Sequence, residues 1–242
     1  MSHVVIVGGS KGLGKVVAEK FLSSGFLVTI LSRTSADYGE NLRHIPVDLN
    51  ELQDATNLAA EVIKISGKIR YLIFCQRYRG NGDAWAGEIQ VSLTATKLLI
   101  DAFSTYFMEE ADCAIGIVSS VYAQFVGGSQ PASYHISKAG LNQLVKFNAL
   151  ALGKKGIRIN SIMPLTYLKE ESKDFYLKNP KKKSLYEKLV PLQKMGSAED
   201  SANLLFFLCS ENAAFINGQS IFIDGGVSVI WPEELAIQLL SE

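Results

Sequence analysis

Tyr134 and Lys138 stand four residues apart near the start of a helical run, so they share a face one turn apart. A phenol, with a pKa of about 10, is a poor acid or base at neutral pH. An ammonium beside it stabilises the phenolate, lowers that value and makes a usable proton donor or acceptor. Alone, such a pair equally suits a solvated helix face. Ser120, fourteen residues earlier, adds a hydroxyl able to hydrogen-bond a carbonyl oxygen while the phenol supplies the proton.

A second group is suited to phosphate. Gly8, Ser10, Lys11, Gly12, Leu13 and Gly14 follow four consecutive β-branched residues, Val4-Val5-Ile6-Val7, and lead into an amphipathic run over 15–24. Glycines there permit positive φ and let backbone N–H groups approach a pyrophosphate at a helix N-terminus. The spacing is G-x-x-x-G-x-G, through Gly8, Gly12 and Gly14. A tight strand–helix turn is the plain alternative. The loop's place between a buried strand and a helix favours a dinucleotide site.

These residues need a frame, and the chain alternates strand and helix. Strands are expected over 4–7, 26–31, 44–47, 71–74, 114–118, 157–162 and 220–223. Helices are expected over 15–24, 51–65, 84–108, 132–152 and 198–209. A charged stretch over 169–188 reads as irregular, and the residues from Asp224 onward as a tail. Such alternation predicts an α/β fold, one Rossmann-type domain over 1–242, with a doubly wound parallel sheet and helices on both faces. Ligands collect beyond the carboxyl ends of strands in such a sheet, and Ser32, Asp48, Arg77 and Ser120 all follow strand ends.

Composition narrows the partners. The chain has 242 residues, 48% of them hydrophobic, with 24 Lys+Arg against 24 Asp+Glu. A net charge of zero supplies no basic field for nucleic acid and no acidic tail. The N-terminal apolar run stops at the glycines, too short for a signal peptide, and no apolar run reaches the roughly 20 residues of a membrane span. Cys75, Cys113 and Cys209 show no C-x-x-C spacing, which suits reduced, buried thiols in a cytoplasmic protein. His3 and His44 share no spacing with Cys or carboxylates, so no metal site is expected. His135 is expected to be solvated rather than catalytic.

Several ordered matches resemble the short-chain dehydrogenase/reductase family, along nearly all of the chain. Val7-Gly8-Gly9-Ser10-Lys11-Gly12-Leu13-Gly14 is similar to its T-G-x-x-x-G-x-G loop. Ser120 with Tyr134-His135-Ile136-Ser137-Lys138 matches its S…Y-x-x-x-K signature. Arg158-Ile159-Asn160-Ser161-Ile162-Met163-Pro164 resembles its R-[VI]-N-x-[IV]-x-P-G segment, and Asn217-Gly218-Gln219 through Asp224-Gly225-Gly226 its C-terminal third. The resemblance implies hydride transfer between a nicotinamide cofactor and a carbonyl or alcohol. Tyr134 would be the acid/base, Ser120 would orient the carbonyl, and Lys138 would hold the nicotinamide ribose hydroxyls and depress the Tyr134 pKa. It further implies Asp48 near the adenine, Pro164 at the cofactor, and homodimers or homotetramers formed through outer helix faces.

The departures from the family cluster at the substrate end. Phe74-Cys75-Gln76-Arg77 replaces N-N-A-G, and the loop over 78–84 is short. Leu165 replaces the glycine of P-G, and Lys169 stands where a Thr often touches the carboxamide. Ser92 takes the place of a fourth catalytic residue, normally Asn, which supports a helix bend whose carbonyl holds a proton-relaying water. Ser can bend a helix by bonding its own backbone, so an irregular turn is expected around Ser92, serving catalysis together with the other three.

The cofactor expectation is NADP(H). Leu31-Ser32-Arg33 brings no carboxylate for a ribose 2′-hydroxyl, whereas Arg33 and Lys11 suit a 2′-phosphate. Arg77 and Arg79, with Lys178, Lys181, Lys182 and Lys183, suggest an anionic or highly polar small substrate. The competing reading is a catalytically impaired NADP(H)-binding regulatory or structural protein; retention of Ser120, Tyr134 and Lys138 together favours an enzyme.

Overall fold

Residues of the first strand alternate between two cores. In a computed structural model describing residues 1–37, 39–109, 111–168 and 173–240, β1 (His3–Val7) sends Val5 and Val7 to one apolar cluster and Val4 and Ile6 to the other. All four are 0% exposed, each stabilising the fold by about 1.5–3 kcal/mol. A strand buried on both faces requires helices on both faces.

Those helices follow in order. After β1 come α1 (Gly12–Ser23), β2 (Leu27–Ser32), β3 (Leu42–Pro46), α2 (Ala55–Ser66) and β4 (Tyr71–Phe74). Next are α3 (Ala84–Glu88), a π-helical segment (Ile89–Thr94), α4 (Ala95–Phe103), β5 (Cys113–Val118), α5 (Ala132–Gly153) and β6 (Ile157–Pro164). The chain continues through β7 (Tyr167–Leu168), α6 (Lys173–Lys178), α7 (Pro180–Leu189), β8 (Gly196–Ser197), α8 (Ala198–Cys209), β9 (Ser220–Ile223) and α9 (Pro232–Leu240). Seven parallel strands order as β3-β2-β1-β4-β5-β6-β9. The direction of winding reverses between β1 and β4, whose Val7 and Phe74 are register partners. That switch point opens a crevice beyond the strand ends.

The segment beginning at Arg158 ties the far side of the sheet. Arg158 donates to both Asp112 carboxylate oxygens (3.1 and 2.9 Å) and to the carbonyls of Leu208, Cys209 and Ser210. It therefore satisfies carbonyls that α8 leaves unpaired and complements the negative end of that helix. Asn160 holds β6 to the approach of β9, donating to the Ile216 carbonyl and accepting from the Gln219 N–H.

Apart from boundary shifts of a few residues, the structure differs from expectation in five segments. The helix expected over 51–65 begins at Ala55 because the Asp54 side chain accepts from the Asn57 N–H at 2.8 Å and caps it. The helix expected over 84–108 is interrupted by the π-helical segment and ends at Phe103, where the Ser104 hydroxyl bonds back to the Asp101 carbonyl. Beyond it, Ile69 exchanges backbone hydrogen bonds with Tyr106 and Met108. Of the stretch 169–188, expected to be irregular, 173–178 and 180–189 are helical, with Pro180 in the first turn of α7; Lys169 lies outside the described residues. The tail contains α9. β7 and β8, two residues each, pair in parallel as a separate sheet, too short for a periodic signal.

Candidate active site

At the β1–α1 turn the backbone is built for an anion. Gly8 and Gly12 have φ of +81° and +54°, and a Cβ on Gly14 would stand 2.1 Å from the Gly8 carbonyl oxygen. Only glycine fits that approach. The N-cap of α1, Lys11, makes no side-chain cap hydrogen bond, and the first turn carries no acidic residue. Neither the N-cap nor the first turn therefore supplies a side-chain anion to the helix N-terminus. These are the features a pyrophosphate would use.

From this turn runs a cavity of about 580 Å³. It passes Ser32, Arg33 and Asp48 at one end and reaches Ser120, Tyr134, Lys138 and Pro164 at the other. Gly8, Ser10, Lys11, Gly12, Leu13 and Gly14 also line it. The structure thus gathers the expected site residues around one space, except Ser92. The Arg33 guanidinium lies 3.8 Å from the Asp48 carboxylate, both partly exposed, and such a pair contributes little. Asp48 also accepts from the Asn50 N–H at 2.9 Å, starting a turn of 3-10 helix at Leu49–Glu51.

Ser120, Tyr134 and Lys138 come together because β5 ends where α5 begins. Ser120, 6% exposed, accepts from the Tyr122 N–H at 3.2 Å, and its side chain shares a hydrogen bond with Tyr134. Lys138, 2% exposed, donates to the Val118 carbonyl at 2.9 Å, while Ser119 donates to the Lys138 carbonyl at 3.1 Å. Burial lowers the Lys138 ammonium to about 8, opposed by Glu88.

Tyr134 corrects an expectation. Its pKa is raised, not depressed: burial is the largest cause, and the Ser120 hydrogen bond and the Arg77 charge offset it only in part. Lys138 Nζ lies 5.6 Å from the ring centroid, whereas the Arg77 guanidinium carbon sits over the ring at 4.7 Å. His135 is engaged rather than simply solvated. Its Nε2 accepts from the Gly127 N–H at 3.1 Å and its Nδ1 faces the Pro131 carbonyl at 3.0 Å, which fixes the Nδ1–H tautomer.

Ser92 sits within the π-helical segment, the irregular turn expected there. Its side chain does not reach the cavity: it is 1% exposed and donates to the Glu88 carboxylate at 2.9 Å. Its carbonyl accepts from the Thr96 hydroxyl at 2.7 Å, and that hydroxyl in turn accepts from the Gln76 amide at 2.7 Å. Gln76, part of the altered Phe74-Cys75-Gln76-Arg77 stretch, therefore ties the end of β4 to the open turn. Ser92→Ala removes one hydrogen bond to Glu88 and leaves the carbonyl network in place. Turnover is expected to fall by about tenfold or less, roughly 1.4 kcal/mol. A loss of two orders of magnitude, or activity appearing only in Ser92→Asn, would overturn that view.

Sequence reasoning missed Glu88, Gln130 and Tyr122. A single carboxylate among apolar neighbours in Gly87-Glu88-Ile89-Gln90-Val91 was the available signal for the first. Arg77 and Arg79 do line the cavity; Lys178, Lys181, Lys182 and Lys183 do not, and Lys183 instead pairs with Glu187 along α7. Cys113 and Cys209 are buried, Cys75 is partly so, and none is bonded to another. Among the described residues no group of His, Cys, Asp or Glu could hold a metal, and no helix is long and apolar enough to cross a membrane.

Known proteins are similar to this chain over nearly all of its length. A family model described as enoyl-(acyl carrier protein) reductase matches residues 7–228. An L-rhamnose 1-dehydrogenase (NAD(P)(+)) of Sphingomonas sp. (strain SKA58) is 29% identical over 93% of this chain and 96% of its own. The RhlG/NADP active-site complex of Pseudomonas aeruginosa superposes with a TM-score of 0.82 at 25% identity, covering 93% of this chain and 96% of that one. A 4-hydroxyisoleucine dehydrogenase complexed with NADH gives 0.84 at 25% identity, covering 96% and 100%. With the glycine turn, the parallel sheet and the Ser120–Tyr134–Lys138 cluster in place along that whole length, the chain belongs to the short-chain dehydrogenase/reductase family of oxidoreductases.

Proposed function

We propose that this chain is an NADP(H)-dependent oxidoreductase that interconverts a carbonyl and an alcohol on a small, polar or anionic substrate. The observation that carries the reading is the convergence of Ser120, Tyr134 and Lys138 on a cavity that begins at the glycine turn. In reduction, the Ser120 hydroxyl holds the carbonyl oxygen and the Tyr134 phenol gives it a proton as negative charge develops there. In oxidation the same phenol, ionised, takes the proton back. Lys138 would hold ribose hydroxyls, and the turn from Gly8 through Ser10 and Lys11 to Gly14 would hold the pyrophosphate. The nicotinamide, when bound, supplies or accepts the hydride. Pro164 would close the nicotinamide side and Asp48 the adenine side.

The 2′-phosphate is assigned to Arg33 and Lys11. Arg33 is 52% exposed at its side chain and only weakly held by Asp48, so a doubly charged phosphate can take it from that pair. Arg77 and Arg79 at the other end favour a polar or anionic substrate, consistent with the sugar named for the Sphingomonas relative. Calorimetry is expected to find NADPH bound at least about tenfold tighter than NADH, with the preference lost in Arg33→Ser; two charge-assisted hydrogen bonds account for that ratio. NADH bound as tightly as NADPH would reject the phosphate site. Consumption of NADPH over a panel of hydroxy and oxo acids, sugars and neutral ketones then tests the reaction. Cofactor binding with no turnover on any of them would favour a non-catalytic binding protein.

A further inference from the structure

Arg77 stands where the family resemblance calls for a glycine, and its surroundings hold it in one place. Its guanidinium carbon lies 4.7 Å from the centroid of the Tyr134 ring. One terminal nitrogen donates to the Gln130 side-chain carbonyl. Its Nε is buried with no hydrogen-bond acceptor and lies 3.9 Å from Glu88 Oε1. That separation is within ion-pair reach and beyond a hydrogen bond. Glu88 is itself 3% exposed, and its other oxygen is fixed by the Ser92 hydroxyl. A cation on a phenol ring and a carboxylate behind it are thus locked from both sides, by Gln130 and by Ser92.

We propose that Arg77 and Glu88 are opposed positioning residues that set the proton affinity of Tyr134, the guanidinium favouring the phenolate and the carboxylate the phenol. This rests on the assignment of Tyr134 as the acid/base. The charged and titratable groups against the Tyr134 ring are Arg77 from the loop after β4, Tyr122 from the turn after β5, and His135 and Lys138 from α5, with Glu88 of α3 standing behind Arg77 at 3.9 Å. Tyr122 meets the Tyr134 ring edge-on at 6.3 Å, and His135 at 6.4 Å. Lys138 is farther from the ring than Arg77, and burial brings its charge near the point of loss at about 8. A guanidinium keeps its charge throughout that range. Above it, Arg77 is the cation left to oppose burial of the phenolate. Ser92, one bond from Glu88, then acts on the acid at a distance.

The test reads the ionisation of Tyr134 itself and needs no substrate. The full chain is labelled with 13C at the tyrosine ring carbon bearing oxygen, and its NMR resonances are followed with pH. Among nine tyrosines, the resonance lost in Tyr134→Phe is the one to follow. Arg77→Gln is expected to move its midpoint up and Glu88→Gln to move it down, each by about one pH unit, tenfold in proton affinity. Arg77→Lys keeps the charge without the planar stack, and its midpoint should fall between wild type and Arg77→Gln. Glu88→Gln preserves an acceptor for Ser92, so that arm stands even if Arg77→Gln fails to fold. A midpoint unmoved by either charge, or moved in the same direction by both, overturns the proposal. If the midpoints move as expected while Tyr134→Phe keeps full turnover, the electrostatics stand and the catalytic assignment of Tyr134 falls.

Discussion

Tyr134→Phe is expected to lower turnover by about 10²–10⁴-fold, the usual range for losing a general acid–base, while NADPH affinity changes no more than a few-fold. The reason is how much the substitution leaves in place. The ring stays, with Arg77 over its face and Tyr122 at its edge. The turn from Gly8 to Gly14, which would hold the phosphates, lies at another part of the cavity. What is lost is one oxygen: the partner of the Ser120 side chain and the source of the proton assigned to the reacting oxygen. Calorimetry with NADPH and the rate of NADPH consumption, measured on the same preparation, separate binding from chemistry. Near-normal turnover in the variant would remove Tyr134 from the mechanism. Loss of NADPH binding in parallel with turnover would instead mark the phenol as part of the cofactor site.

The parts of this molecule that could be read from sequence are those where one local rule acts alone. β4 (Tyr71–Phe74), α8 (Ala198–Cys209) and β9 (Ser220–Ile223) coincide with the expected segments to the residue. α8 starts cleanly because Ser197 and Asp200 form a reciprocal capping box, so its first turn does not fray. Boundaries failed where a short-range competitor intervened, as Asp54 does at α2 and Ser104 at α4. The π-helical segment was expected from Ser92, but the agent that holds it open was not. Gln76 acts from the end of β4, twenty residues before Thr96 in sequence, and no periodicity carries that distance.

The site shows the same division. Ser120, Tyr134 and Lys138 are legible because β5 and α5 bring a sequence signature together directly. Arg77 was legible as a cation at the ligand edge of the sheet. Its seat on Tyr134 was not, since that needs the loop after β4 to cross the start of α5. The sign of the Tyr134 shift was misread for a related reason. An ammonium four residues along a helix predicts a lowered value, but burial in the cavity is the largest effect here, and what offsets it comes from Ser120 and Arg77.

Gly14→Ala should damage cofactor binding far more than its single methyl suggests. The new Cβ would stand 2.1 Å from the Gly8 carbonyl oxygen, 2.9 Å from its carbonyl carbon and 3.0 Å from the Gly9 Cα. All three are backbone atoms, so no rotamer change relieves the contact. Either α1 moves away from the sheet or the turn at Gly8 opens, and Gly8 is itself confined: its own Cβ position lies 2.7 Å from the backbone of Gln76. Relief at Gly14 therefore displaces the N–H groups that would hold the pyrophosphate and presses on the residue that clamps the π-helical turn. Overpacking of this kind costs about 1–3 kcal/mol of stability. NADPH affinity is expected to fall by about 100-fold, about 2.8 kcal/mol at 1.4 kcal/mol per tenfold. Gly25→Ala is the matched control. Gly25 has a φ of +81° but nothing within 4 Å of its Cβ position, so alanine there is strained by roughly 1–2 kcal/mol and sits outside the cavity. Denaturant unfolding and calorimetry on both variants distinguish the effects: both proteins lose stability, and Gly14→Ala alone loses NADPH. Equal NADPH affinity in the two would mean that the β1–α1 turn does not hold the cofactor's phosphates.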